Sequence, residues 1–326
     1  MYVHPDLAEV FATLPKRPEN PYADIEATRA NFRQLVARMP ARDDLTIEHA
    51  HLPGPDGDKI DVQLLRPLGT AGALPCVLYI HGGGFSYGEV DGPSPMARDV
   101  CAEVGVVVVN VHYRLAPEYP FPAGIEDCYA ALCWIAENAA ELGIDPDRIA
   151  VAGASAGGCL SAALCLLARD RRGPAIRFQC LLIPVLDDRE QTESRKKITD
   201  CRIITGPGVR HTWDTYLGPA RGGTISPYAA PSRATDLSGL PPAYVMTCGL
   251  DPLRDEGQDY ALRLMRANVP VELKDVPGAW HFFEGFAPHA ALTRETTAHW
   301  LHALRTASHT WSPAPRPSRV RFAPGT

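Results

Sequence analysis

Ser155 lies in VAGASAGG, between Gly153 and Gly157 in a G-x-S-x-G pattern, after the apolar run RIAVAG and before SAGGCLSAALCLLARD. Strand, sharp turn and helix in that order make a strained elbow whose small neighbours let the hydroxyl project from the strand's end. By itself the pattern reads equally well as a glycine-rich turn. A serine hydroxyl is a weak nucleophile: it requires a base to take its proton and a third group to hold the base in one tautomer. Asp251 follows the apolar run AYVMTCGL, and His281 follows VELKDVPGAW. Taken singly, Asp251 reads as well as a helix N-cap or Asp-Pro turn, and His281 as a packed loop histidine. Together they supply an orienting acid and a base for two-step acyl transfer.

A fourth group is HGGG, His81 to Gly84, directly after PCVLYI. A tetrahedral acyl intermediate develops an oxyanion, and backbone N–H groups approach it closely only where no side chain intervenes. Glycines meet that need, and HGGG loops serve lipases and esterases in this way. Gly83 and Gly84 are the expected donors, with the N–H of Ala156 after the nucleophile. Gly82 completes the loop, and His81 is expected to shape it by hydrogen bonding rather than to act as a base. The alternatives are a flexible loop or a phosphate-binding turn, which the lack of a following GK[ST] or of a helix at its end disfavours.

The elements that must position these residues alternate. TIEHAHL, KIDVQLLRP, PCVLYI, GVVVVNVHY, RIAVAG, QCLLIPVLD, AYVMTCG and VELKDV read as strands, with helices across IEDCYAALCWIAENAAEL, SAGGCLSAALCLLARD and GQDYALRLMRANV. This is the rhythm of an α/β protein, and VVVVNV, apolar on both faces, suits a central parallel strand. Serine, aspartate and histidine then fall after successive strands in the chain order of an α/β-hydrolase. The rhythm lapses between 187 and 226, which reads as an inserted lid. The amphipathic IEATRANFRQLVARM near the start has no strand partner and reads as a cover. We therefore divide the chain into N-terminal cap helices (1–45), a catalytic domain (46–186 and 227–308), a cap insertion (187–226) and a disordered tail (309–326).

HGGGF, YRLAPEYPFPA, GIDPDRIAVAGASAGG, LPPAYVMTCGLDPLRDEG and the His281 loop together resemble the bacterial hormone-sensitive-lipase family of α/β-hydrolases, over roughly residues 45 to 305. Within it, YAAPSRATDLSGLPPAY and DPLRDEGQDYALRL are most similar to the bacterial heroin esterase type. The resemblance implies a mostly parallel sheet under a helical cap, hydrolysis of short-acyl esters, no metal or organic cofactor, and, in many members, a homodimer. It also marks two departures. Ala154 stands where many relatives carry Asp, which alters the elbow's rigidity rather than the chemistry. Phe282 stands where the family follows its histidine with Gly, which bears on substrate size.

Bulk properties exclude other classes. A net charge of -6 and a pI near 6.0 offer no basic surface for nucleic acid or anionic membrane. The start MYVHPDLAEVF lacks a basic n-region and apolar core, so a cytoplasmic protein is expected. Nine scattered cysteines without CxxC pairs read as reduced core thiols. His49 and His51 alternate on one strand face without a third ligand, so no metal is expected. Arg114 and Glu118 in YRLAPEYPFPAG read as a pair that fixes a loop. Phe85, Tyr87, Trp213, Tyr216 and Phe282 are candidate substrate contacts, and His211 in the lid a weaker one. The rival readings are a natural-product tailoring enzyme on this scaffold (acyl transferase, deacetylase or dehydratase) and a non-catalytic small-molecule binder. Retention of His281 disfavours the latter.

Overall fold

The structure is a computed structural model that describes residues 1–37, 42, 44–88 and 94–310. Eight strands form one sheet: β1 (Leu45–Pro53), β2 (Lys59–Pro67), β3 (Leu74–Ile80), β4 (Val107–His112), β5 (Ile144–Ala154), β6 (Phe178–Leu182), β7 (Ala243–Leu250) and β8 (Val271–Trp280). Their spatial order is β1-β2-β4-β3-β5-β6-β7-β8, with antiparallel pairing only at β1–β2 and β2–β4. Every predicted strand is present, although QCLLIPVLD leaves the sheet after Leu182, where Ile183 turns to φ 42°.

The helices are α1 (Ala8–Thr13), α2 (Ile25–Val36), α3 (Pro95–Asp99), α4 (Ala123–Glu137), α5 (Ala156–Asp170), α6 (Glu193–Lys197), α7 (Gly206–Leu217), α8 (Arg254–Arg266), α9 (Phe283–Phe286) and α10 (Ala291–Thr310). Parallel neighbours need a crossover, and between β3 and β4 it is α3 with the π-helical turn Val100–Gly105, which the sequence reading passed over. It also missed α10, which buries Trp300, Leu301 and Leu304.

Alternation along β4 sends Val107, Val109 and Val111 to one face, with α4, α5 and α8, while Val106 and Val108 join α1, α3 and α10 on the other. α5 is buried along its whole length from Ala156 to Ala168, because the sheet lies beneath it and further elements cover it. Its first residue follows Ser155 directly. That helix is therefore fixed by burial rather than by a cap side chain.

α1 and α2 precede the sheet, and α6 and α7 lie between β6 and β7. The two segments touch: Tyr22 Oη and Thr212 Oγ1 are 2.7 Å apart, and the Arg17 amide donates to the Cys201 carbonyl at 2.7 Å. α10 reaches Thr310, two residues into the expected tail; residues 311–326 lie outside the described ones. Seven cysteines are buried as read, Cys133 is half-buried, and Cys201 corrects the core reading by being exposed. No helix among the described residues is long and apolar enough to cross a membrane.

Candidate active site

β5 delivers Ser155 to the top of the sheet, with φ 57° and ψ -117°. The left-handed φ is costly for a residue with a Cβ, and a backbone network holds it. The Ser155 amide donates to the Leu182 carbonyl at 2.9 Å, and its carbonyl accepts from Cys159 and Val185 at 3.0 and 3.3 Å. The flanking glycines are required by a neighbour as well as by the turn. A Cβ on Gly153 would stand 2.6 Å from the Ile80 carbonyl oxygen, and one on Gly157 only 1.9 Å from it. The elbow and the end of β3 thus touch backbone to backbone. Ala154, buried in the apolar cluster with Trp280 and Met246, occupies a site where a charged side chain would lack water.

His281 Nε2 lies 2.9 Å from Ser155 Oγ, and Nδ1 lies 2.7 Å from Asp251 Oδ2. A carboxylate only accepts, so Nδ1 carries the proton and Nε2 is free to accept from the hydroxyl. The Asp251 carboxylate serves both readings left open by sequence. Oδ2 faces His281, while Oδ1 accepts the Leu253 amide at 2.9 Å as a turn residue would. A register shift between Cys248 and Leu250 on the β7–β8 pairing precedes it. Both side chains are nearly dry, with 9% exposure for His281 and 1% for Asp251, which strengthens their attraction.

The HGGG loop curls against Ser155. A Cβ on Gly82 would meet the Ala154 carbonyl at 2.8 Å, and Gly83 and Gly84 take φ 106° and 54°. Ser86 and Tyr87 amides both donate to the Gly83 carbonyl at 3.0 Å, and Ala116 donates to that of Phe85 at 2.9 Å. Ala156 starts α5, where the first amides have no acceptor within the helix. His81 Nδ1 donates to the Gly82 carbonyl at 2.7 Å, and its ring stacks on Tyr113 at 4.3 Å. Burial lowers its pKa to about 4, so it stays neutral and shapes the loop.

The aromatic candidates separate into groups. Phe85, Trp213 and Tyr216 are buried on one another, with Phe85 and Tyr216 stacked at 3.7 Å, so they join the HGGG loop to α7. Tyr87 is half-buried, with Phe32 of α2 at 5.3 Å. Phe282 is half-buried beside His281 and left-handed, φ 59° and ψ 35°, the conformation glycine adopts without cost. His51 Nδ1 faces Asp61 at 2.5 Å, and among the described residues no group of three or more potential ligands gathers for a metal.

One reading is corrected. Arg114 and Glu118 do not pair with each other: Arg114 closes on the fully buried Asp127 at 2.8 Å, and Glu118 receives Arg29 of α2 at 2.7 Å. Charge within one loop had suggested the local pair, but the loop faces different elements at its two ends. Sequence reading also missed Tyr22, whose hydroxyl would stand 2.2 Å from a Cβ on Gly84. It missed the half-buried Glu284, whose Oε1 is enclosed and whose carboxyl is pushed up to about 7 by desolvation, with the Asp251 charge adding to the effect. Neither lies in a local pattern that marks it.

Residues 77–285 match a family described as alpha/beta hydrolase fold. The chain is 42% identical over 292 residues to carboxylesterase NlhH of Mycobacterium tuberculosis, covering 87% of this chain and 90% of that protein. It is 32% identical over 266 residues to an ethyl acetate hydrolase of Pseudomonas putida, covering 80% and 83%. Among solved structures, bacterial heroin esterase superposes with a TM-score of 0.90 at 43% identity, over 95% of this chain and 99% of that one. The chain belongs to the hormone-sensitive-lipase-like family of α/β-hydrolases and is a carboxylic ester hydrolase.

Proposed function

We propose that this chain is a serine carboxylesterase acting on short-acyl, acetyl-like esters, with Ser155 as nucleophile, His281 as base and Asp251 as the residue that orients it. The observation that carries the reading is the continuous hydrogen-bonded line from Ser155 Oγ through both His281 nitrogens to Asp251, with 2.9 and 2.7 Å steps. Ser155 Oγ attacks the ester carbonyl while Nε2 takes its proton; the carbonyl becomes an oxyanion facing the amides of Gly83, Gly84 and Ala156. Collapse breaks the ester C–O bond, and His281 returns the proton to the departing alcohol. Water then attacks the acyl-serine by the same route, releasing the acid and restoring the hydroxyl. Residues 1–45 and 187–226 act as the cap over this site, and the ligand is a small neutral or weakly charged ester.

The short-acyl part draws support from the resemblance to heroin esterase and from the ethyl acetate hydrolase relative. Ser155→Ala is expected to reduce kcat on a chromogenic acetate by about a millionfold, as removal of a nucleophilic serine does elsewhere. Retained activity would end the triad reading. A series of esters of increasing acyl length is expected to peak at the short end; a peak at long chains would overturn that part alone.

A further inference from the structure

The oxyanion loop has little side-chain bulk of its own, and its shape depends on what holds its carbonyl groups. Two of them, on Gly83 and Phe85, accept backbone amides. That of Gly82 accepts the His81 ring, and that of Ser86 is taken by a side chain from the cap: Arg29 Nε donates to it at 2.9 Å. The rest of that guanidinium is fully used. Nη1 donates to Glu118 Oε1 and Glu26 Oε1, each at 2.9 Å, and Nη2 to Glu118 Oε2 at 2.7 Å and the Ala116 carbonyl at 3.4 Å. All five N–H donors of the arginine thus have acceptors. Two of its partners, Ser86 and Ala116, belong to strands of backbone already tied together through Phe85.

The helix that carries Arg29 buries no residue of its own. Its apolar residues Ile25, Phe32, Leu35 and Val36 are only half-buried, so directed polar contacts share in setting its placement. A cleft of about 360 Å³ beside the joint, lined by Arg29, Arg33, Tyr87, Arg114 and Glu118, leaves room around the ion pair. On that side the loop is held by Tyr22 and Phe32 against Tyr87 and by the guanidinium on the Ser86 carbonyl.

We propose that Arg29 is a positioning residue for the oxyanion hole: by fixing the Ser86 carbonyl and the Ala116–Glu118 segment, it aims the Gly83 and Gly84 amides, so that a seated cap helix and transition-state stabilisation are one event. The proposal rests on the triad reading above. Lysine is a poor replacement, because a single ammonium cannot hold Ser86 and both Glu118 oxygens in one plane.

The test compares Arg29→Met, Arg29→Lys and Glu118→Gln with the control Glu26→Gln, whose carboxylate is mostly solvated. Each variant is read by kcat and KM on an acetyl ester, by the rate at which a fluorophosphonate labels Ser155, and by Tm. The phosphoryl oxygen of the label occupies the oxyanion position, so labelling reports the hole directly. Because removal of one oxyanion donor costs about 100- to 1,000-fold, misaiming is expected to lower kcat about tenfold or more in both Arg29 variants, with KM within about twofold. Labelling slows in parallel, Glu118→Gln follows to a smaller extent, and Glu26→Gln matches the wild type. An unchanged kcat, a rise in KM alone, or a loss that vanishes after titration of folded active sites overturns the proposal. Should the Arg29 variants not fold, Glu118→Gln decides alone. Failure of the wild type to label at Ser155 sinks the triad reading instead, and is distinguished by that.

Discussion

Phe282 lays its ring over Gly285: a Cβ on that glycine would stand 2.3 Å from the Phe282 Cε1 atom. The residue after the base has a large side chain in a left-handed backbone, and the turn three residues later has none. The ring also meets Phe286 edge-on at 6.4 Å. The bulk that the family resemblance places outside this position is accommodated by removing it from the facing one.

Phe282→Ala removes the ring and keeps the left-handed strain, whereas Phe282→Gly removes both. The glycine variant is therefore expected to be more stable than the alanine variant by about 1 kcal/mol, the usual cost of a side chain in that region. Urea unfolding of the pair measures it, and equal stabilities would show that the backbone bears no strain. Both variants are expected to shift acyl preference toward longer chains.

Gly157→Ala forces a methyl group to within 1.9 Å of the Ile80 carbonyl, which is backbone and cannot swing away. The elbow must move relative to β3. Overpacking of this kind costs about 1–3 kcal/mol, and a displacement near 1 Å at the nucleophile costs about a hundredfold in rate. Retained kcat in a folded Gly157→Ala protein would contradict the contact.

His81 gives a pH dependence with a definite sign. Burial lowers its pKa from 6.5 to about 4, so between those values the unfolded chain binds the extra proton and the folded one does not. Its contribution is whole above pH 6.5 and is lost as pH falls toward 4, amounting to about 3 kcal/mol. In His81→Gln, which can still donate to the Gly82 carbonyl, Tm is expected to fall less steeply over that interval. Parallel curves for the two proteins would remove His81 as the source.

Asp127 is wholly buried and receives the Arg114 guanidinium at 2.8 Å together with the Arg114 amide at 2.8 Å. Asp127→Ala removes the buried acceptor of the Arg114 amide and leaves the guanidinium only the exposed Asp56 and Asp58, and is expected to cost about 3 kcal/mol in unfolding free energy. Guanidinium titration of the variant checks it, and a loss below about 1 kcal/mol would place the pair in the class of solvated surface bridges.

The sequence by itself determined where Ser155, Asp251, His281 and the Gly82–Gly84 loop had to lie. Each is adjacent to the C-terminal end of a strand whose apolar run and following helix are local signals, and a parallel sheet gathers such ends along one edge. The same local logic exposed β1 to β8, but passed over α10 and the five-residue α3. Tertiary structure alone decided the rest. Arg29 meets Ser86 across 57 residues and Glu118 across 89, and Tyr22 meets Thr212 across 190. With 32 Lys and Arg and 38 Asp and Glu in the chain, charge type does not choose the partner. Hence Arg114 and Glu118, neighbours in one motif, are held by Asp127 and Arg29. Backbone preference is written into a few adjacent residues; the approach of a cap to an oxyanion loop exists only once the sheet has set the distance.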